Sequence, residues 1–138
     1  MILADTGFWL ALGDRRDRHH VAATIALERA QEGLVTTWPV VTETCYLLGH
    51  RLGQDAAIRF VNSGARGAFG VFELTQGHLD RIAELMHQYR ALPMDFADAS
   101  LVICAETLGT GRIFSTDARD FGAYRWKNRK PFENLLKV

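Results

Sequence analysis

Several common routes to stability and several function classes are missing from this sequence. There are two cysteines, Cys45 and Cys104, and they are not spaced as a zinc site. Both sit inside apolar, helix-like runs (TETCYLL and LVICAE), which reads as two reduced core thiols. No apolar run approaches the ~20 residues of a membrane span. No basic region precedes an apolar stretch at the N-terminus, which starts ILAD and meets Asp14 and Arg15 early. A signal peptide is therefore not expected, and a cytoplasmic location is the default. Repeats, linkers and low-complexity segments are absent. Net charge is also absent, with 16 basic and 16 acidic residues, so the chain as a whole does not announce a nucleic-acid binder.

What is present suits one globular domain spanning 1–138. With 48% hydrophobic and 23% charged residues, the chain can bury a core without disulfides or structural metal. Its charge is uneven. Residues 112–138 hold seven Lys or Arg against three acids, and residues 1–111 hold nine against thirteen. A basic tail on an acidic body suggests a local patch for an anionic partner.

Short apolar runs alternate with helical patterns. Strands are expected at Met1–Ala4, Leu34–Thr37, Val71–Leu74 and Arg112–Ser115. Helices are expected at Thr6–Leu12, His19–Gln31, from Pro39 to about Arg51, Gln54–Asn62, Thr75–Tyr89 and Asp95–Leu108. In Thr75–Tyr89 the inner face would hold Leu79, Ile82, Ala83, Leu85 and Met86. A glycine-rich stretch fills Ser63–Gly70, and the tail Tyr124–Val138 leaves room for a fifth short strand. This order implies a three-layer α/β/α sandwich around a mostly parallel sheet. Ligand sites in such sheets form beyond the carboxyl ends of the strands, which directs attention to Asp5 and Asp117.

Four acids stand out, each with a plainer explanation beside it. Asp5 and Asp117 also suit helix caps, and Asp120 suits a structural turn. Glu43 borders the apolar arc of Val40, Val41, Thr44, Cys45, Leu47 and Leu48, where an unpaired carboxylate is costly; a salt bridge to Arg51 or to another basic residue across the fold would relieve it. Asp98 has apolar neighbours Leu101, Val102 and Ala105 on the inward stripe of its helix. Compensation of the helix dipole accounts for Asp95 as N-cap, but poorly for the inward direction of Asp98. Carboxylates gathered at one sheet edge repel one another unless a cation sits between them. Hard divalent ions choose such oxygens and can drive attack of water on a phosphodiester. No His/Cys set competes, and His19–His20 reads as a solvated helix start.

Four segments in order, ILADTGFWLAL, VVTETCYLL, MDFADASLVICAE and IFSTDARDFGAYR, resemble the PIN domain. They most resemble the VapC-type toxins of bacterial toxin–antitoxin pairs, over nearly the whole chain. The resemblance implies an α/β/α sandwich and Mg²⁺- or Mn²⁺-dependent cleavage of RNA. It makes Asp5, Glu43, Asp98 and Asp117 the catalytic, metal-holding acids, with Thr6, Asp95 and Ser115 in supporting roles around them; Asp95 could itself be taken as the third acid, but DASLV aligns better with the family's helix start. It further implies a homodimer and a cognate antitoxin whose C-terminal segment, often bearing Arg, enters the acidic pocket. Separately, Arg125, Lys127, Arg129 and Lys130, interleaved with Tyr124 and Trp126, suggest a hold on the RNA backbone and a stacked base. The rivals are a DNA-directed nuclease and a degenerate PIN-like RNA-binding or scaffold protein. A phosphatase with an Asp nucleophile is disfavoured, because the position two residues after Asp5 is Gly7.

Overall fold

The computed structural model describes residues 1–137. Five short strands form one parallel sheet: β1 (Ile2–Ala4), β2 (Leu34–Thr37), β3 (Gly70–Phe72), β4 (Arg112–Phe114) and, last in the chain, β7 (Glu133–Asn134). Their order across the sheet is β3-β2-β1-β4-β7. Register is set by pairs such as Ile2 with Leu34 and Leu3 with Ile113. The central strands β1 and β2 are buried at every position, as a parallel sheet covered on both faces requires.

Helices α1 (Thr6–Gly13), α2 (His20–Arg29), α3 (Trp38–Leu52), α4 (Gln54–Ala65), α5 (Leu79–Gln88) and α6 (Phe96–Leu108) flank the sheet. The expected α/β sandwich is the fold found. Its core runs from Leu3, Phe8 and Trp9 through Leu101, Val102 and Ile113 to Phe121 and Tyr124. Local chemistry sets the helix ends. Pro39 lies in the first turn of α3, where its missing N–H costs nothing. Gly109 closes α6 in the left-handed region at φ 72°. Among the described residues no helix is long and apolar enough to cross a membrane.

The departures from expectation have local causes. α4 runs past Asn62 to Ala65, because Gly64 lets the Phe69 ring close against the helix; a Cβ there would stand 2.5 Å from the ring. The expected helix Thr75–Tyr89 begins with a 3₁₀ turn, Gln76–His78, capped by Thr75. In α5 only Ile82 and Leu85 are buried, while Leu79 and Ala83 face solvent and are corrected to the outer surface. Cys104 is buried, with its thiol pushed up to about 12, whereas Cys45 is only half-buried. The tail supplies the fifth sheet strand as β7. It also holds a short helix α7 (Ala118–Ala123) and a hairpin of β5 (Arg125–Trp126) with β6 (Lys130–Pro131). Lys127 and Asn128 turn that hairpin at positive φ. Val138 lies outside the described residues.

Candidate active site

The carboxyl ends of β1, β2 and β4 and the start of α6 converge on one cleft of about 380 Å³. Asp5 follows β1 directly. It caps α1 by accepting from the Phe8 N–H at 2.9 Å and is almost wholly buried. Asp98 sits in the first turn of α6, whose start is fixed by Asp95 accepting from the Asp98 N–H at 2.8 Å. Asp117 follows β4, caps α7 by accepting from the Asp120 N–H at 3.1 Å, and is exposed. Glu43 lies one turn into α3, half-buried. All four line the cleft, together with Asp95 and Asp120. Capping and cleft lining are thus not alternatives for Asp5 and Asp117, which do both.

No Lys, Arg or His lines this cleft. The counterion considered for Glu43 is engaged elsewhere, since Arg51 pairs with Asp17 at 3.0 Å and Asp14 at 3.5 Å. The Glu43 carboxylate has no hydrogen-bond or ion-pair partner among the described residues.

The electrostatic consequence falls on the two most enclosed carboxyls. Burial pushes Asp5 up to about 6, opposed by hydrogen bonds from Ser115 and Phe8 and reinforced by the charge of Asp117. Burial likewise pushes Asp98 up to about 7, with the charges of Asp95, Asp5 and Asp117 adding to it and a hydrogen bond from Tyr124 opposing it. Both acids are raised chiefly by burial, with Asp117 a negative neighbour common to the two and no cation lining the cleft to oppose it.

Hydrogen bonds hold the acids in place. The Ser115 hydroxyl donates to Oδ2 of Asp5 in a short contact and accepts from the Asp117 N–H at 2.9 Å, so one buried hydroxyl ties the first acid to the fourth. Asn134 in β7 grips Ser115 like a peptide edge. It accepts from the Ser115 N–H at 3.1 Å and donates to the Ser115 carbonyl at 3.0 Å. Thr6 is buried and lines the cleft, and Asp95 caps α6 at the cleft rim. Sequence reasoning missed Asn134, and the stacking role it gave Tyr124 in the basic tail is corrected: Tyr124 is fully buried and donates to Oδ2 of Asp98 at 3.0 Å. Sequence reasoning also gave Asp120 to a turn only. No spacing in the sequence links Tyr124 or Asn134 to its partner.

The tail cations do not join the cleft. Trp126 is buried against Gly111 and donates its indole N–H to the Pro131 carbonyl at 3.1 Å, so the stacking role expected for it is corrected: its face is not free for a base. Arg125 folds back onto the carbonyls of Gly122, Ala123 and Tyr124, closing α7. Lys127 and Lys130 lie over the Trp126 ring at 5.7 and 4.8 Å, and Arg129 is exposed on the hairpin turn.

The donor set offers oxygens alone, which suits a hard divalent ion and not zinc. Among the described residues no three His, Cys, Asp or Glu side chains stand tightly enough to enclose an ion unaided. An ion that keeps part of its water shell, as Mg²⁺ does, fits an open carboxylate cleft of this kind.

The model of the PIN domain matches residues 2–127. This chain belongs to the PIN-domain family. The PIN domain is similar to Ribonuclease VapC26 of Mycobacterium tuberculosis, with 28% identity over 124 residues, covering 90% of this chain and 92% of the relative. It also superposes on the crystal structure of Mycobacterium tuberculosis VapC20, a sarcin–ricin loop cleaving toxin. The TM-score is 0.81 at 24% identity, covering 86% of this chain and 92% of that one. The VapC20 likeness carries the fold: a five-stranded parallel sheet flanked by helices.

Proposed function

We propose that this PIN-domain protein is a metal-dependent endoribonuclease and the toxin of a toxin–antitoxin pair. The observation that carries the reading is the cleft lined by six carboxylates and no cation, with Asp5 and Asp98 raised well above ordinary carboxyls. Family membership and the VapC26 likeness supply the reaction class.

In this reading Asp5, Asp98 and Asp117 would hold Mg²⁺ or Mn²⁺, in part through the ion's own water shell. The bound ion supplies the charge that makes water a nucleophile near neutral pH and offsets negative charge growing on the phosphate. Glu43, without a partner of its own, would orient the attacking water by accepting its hydrogen bond. Ser115 keeps Asp5 and the start of α7 at fixed separation. Leu10, Leu47 and Leu101 form an apolar wall that limits bulk water in the cleft. Phosphate contacts outside the cleft fall to the exposed cations Lys127 and Arg129 rather than to Trp126.

In this reading the antitoxin would have a second seat besides the cleft. A groove of about 1050 Å³ lies between α2 and the β4–β7 edge. Ile2, Phe114 and Leu135 line it with Val21 and Ile25 of α2, and Arg18, Arg29 and Lys137 add positive charge. An acidic, partly apolar antitoxin segment complements that surface. The exposed Trp38, Tyr46, Ile58 and Val61 of α3 and α4 are the face we assign to a homodimer. Such a toxin would act in the cytoplasm, where its RNA is.

The test is cleavage of RNA by purified protein in Mn²⁺, beside Asp5→Asn and Asp98→Asn. Loss of cleavage in both folded variants supports the reading. Equal cleavage by both rejects it, cleavage of DNA in preference to RNA points to the DNA-directed rival, and no cleavage at all by the wild type points to a scaffold.

A further inference from the structure

Tyr124 follows α7 and has no role in the chemistry assigned above. Its side chain is fully buried, yet its hydroxyl has a partner: it donates to Oδ2 of Asp98 at 3.0 Å. The ring is fixed from two sides. Tyr89 and Phe121 each meet it edge-on with centroids 5.1 Å apart. Tyr89 is itself tied down, because its hydroxyl accepts from the Arg125 N–H at 3.0 Å. A phenol keeps its proton throughout the neutral range, so the hydroxyl stays a donor.

Asp98 is held only at one end. Its Oδ2 takes the Tyr124 hydrogen bond, and its Oδ1 has no protein donor among the described residues. A carboxylate in the first turn of a helix turns freely about two torsions unless something stops it. A rigid, buried donor on one oxygen stops it, and leaves the other oxygen for a ligand in the cleft.

We propose that Tyr124 is a positioning residue that sets the Asp98 carboxylate to hold a divalent ion through its remaining oxygen. This rests on the metal-dependent reading above. The aromatic trio Tyr89, Phe121 and Tyr124 is the rigid support, and the hydroxyl is its point of contact with the cleft.

The experiment is calorimetric titration of Mn²⁺ into the wild-type protein and Tyr124→Phe, with the melting temperature of each recorded metal-free. Phenylalanine keeps the ring and its packing and removes the hydroxyl alone. Mn²⁺ affinity should fall by about 10-fold, within the range typical of outer-shell partners of metal ligands, while the metal-free protein stays folded. Phe121→Leu keeps the hydroxyl but loosens the ring, and should weaken Mn²⁺ by a smaller factor than Tyr124→Phe does. Unchanged affinity in folded Tyr124→Phe overturns the proposal, and so does unchanged affinity in Phe121→Leu should the first variant not fold. Absence of Mn²⁺ binding to the wild type overturns the metal-dependent reading and this one with it. Wild-type binding that Tyr124→Phe leaves untouched overturns the role of Tyr124 alone.

Discussion

Two groups of carboxylates in this molecule have opposite fates. Away from the cleft, each enclosed acid has a cation. Glu106 accepts from Arg81 at 2.8 and 3.1 Å, Asp17 pairs with Arg51, and Glu32 sits between Arg112 and the N-terminal amine. All three carboxyls are held below their usual range. At the carboxyl end of the sheet no cation is supplied, and Asp5 and Asp98 are raised. The chain has enough arginine to neutralise that cleft and spends it elsewhere. The contrast supports the proposed reading of the cleft as a seat for a positive charge from outside, whereas the paired acids serve the fold.

The largest effect that would break the contrast is on chemistry. Asp5→Asn or Asp98→Asn should lower RNA cleavage by more than about 100-fold, beyond what loss of an outer-shell partner costs, as read by single-turnover assay. The next effect is on stability. A carboxyl whose folded pKa is raised stabilises the protein at low pH, and that contribution is lost as pH rises through the folded value, here from about 4 to about 7 for Asp98. Metal-free Asp98→Asn should therefore be more stable than the wild type at pH 8, on the order of 2–4 kcal/mol, and no more stable at pH 4, by urea unfolding.

Smaller changes sharpen the line between the groups. Asn134→Ala should destabilise the protein by about 1–3 kcal/mol, because buried Ser115 loses partners, and lower cleavage about 10-fold through Ser115 and Asp5. Glu106→Gln should cost about 1–2 kcal/mol in unfolding with cleavage unchanged. Smallest of all, Lys127→Ala with Arg129→Ala should weaken RNA binding less than about 10-fold, and only at low salt, in a filter-binding assay.

The sequence made Asp98 legible because its i+3, i+4 and i+7 neighbours are apolar, and a helix turns that spacing into an inward direction. Asp5 and Asp117 were legible from their place after β1 and β4. Tyr124 and Asn134 were not, because their contacts reach Asp98 and Ser115 across 26 and 19 positions, with no periodicity linking the pairs. Trp126 misled for a related reason. Its neighbours Arg125, Lys127 and Arg129 are charged, yet the space left by Gly111 draws the indole inside. Leu79 and Ala83 matched a helical stripe that begins later than the pattern suggested, since a 3₁₀ turn occupies its first residues.

The most direct test is thermal unfolding of the wild-type protein between pH 5 and pH 8, once in chelator and once in saturating Mn²⁺. In chelator the melting temperature should fall as pH rises, because Asp5 and Asp98 must ionise beside Asp117 without a counterion; in Mn²⁺ that fall should disappear. The same decline with and without the ion would contradict the claim that these carboxylates are assembled around a divalent cation.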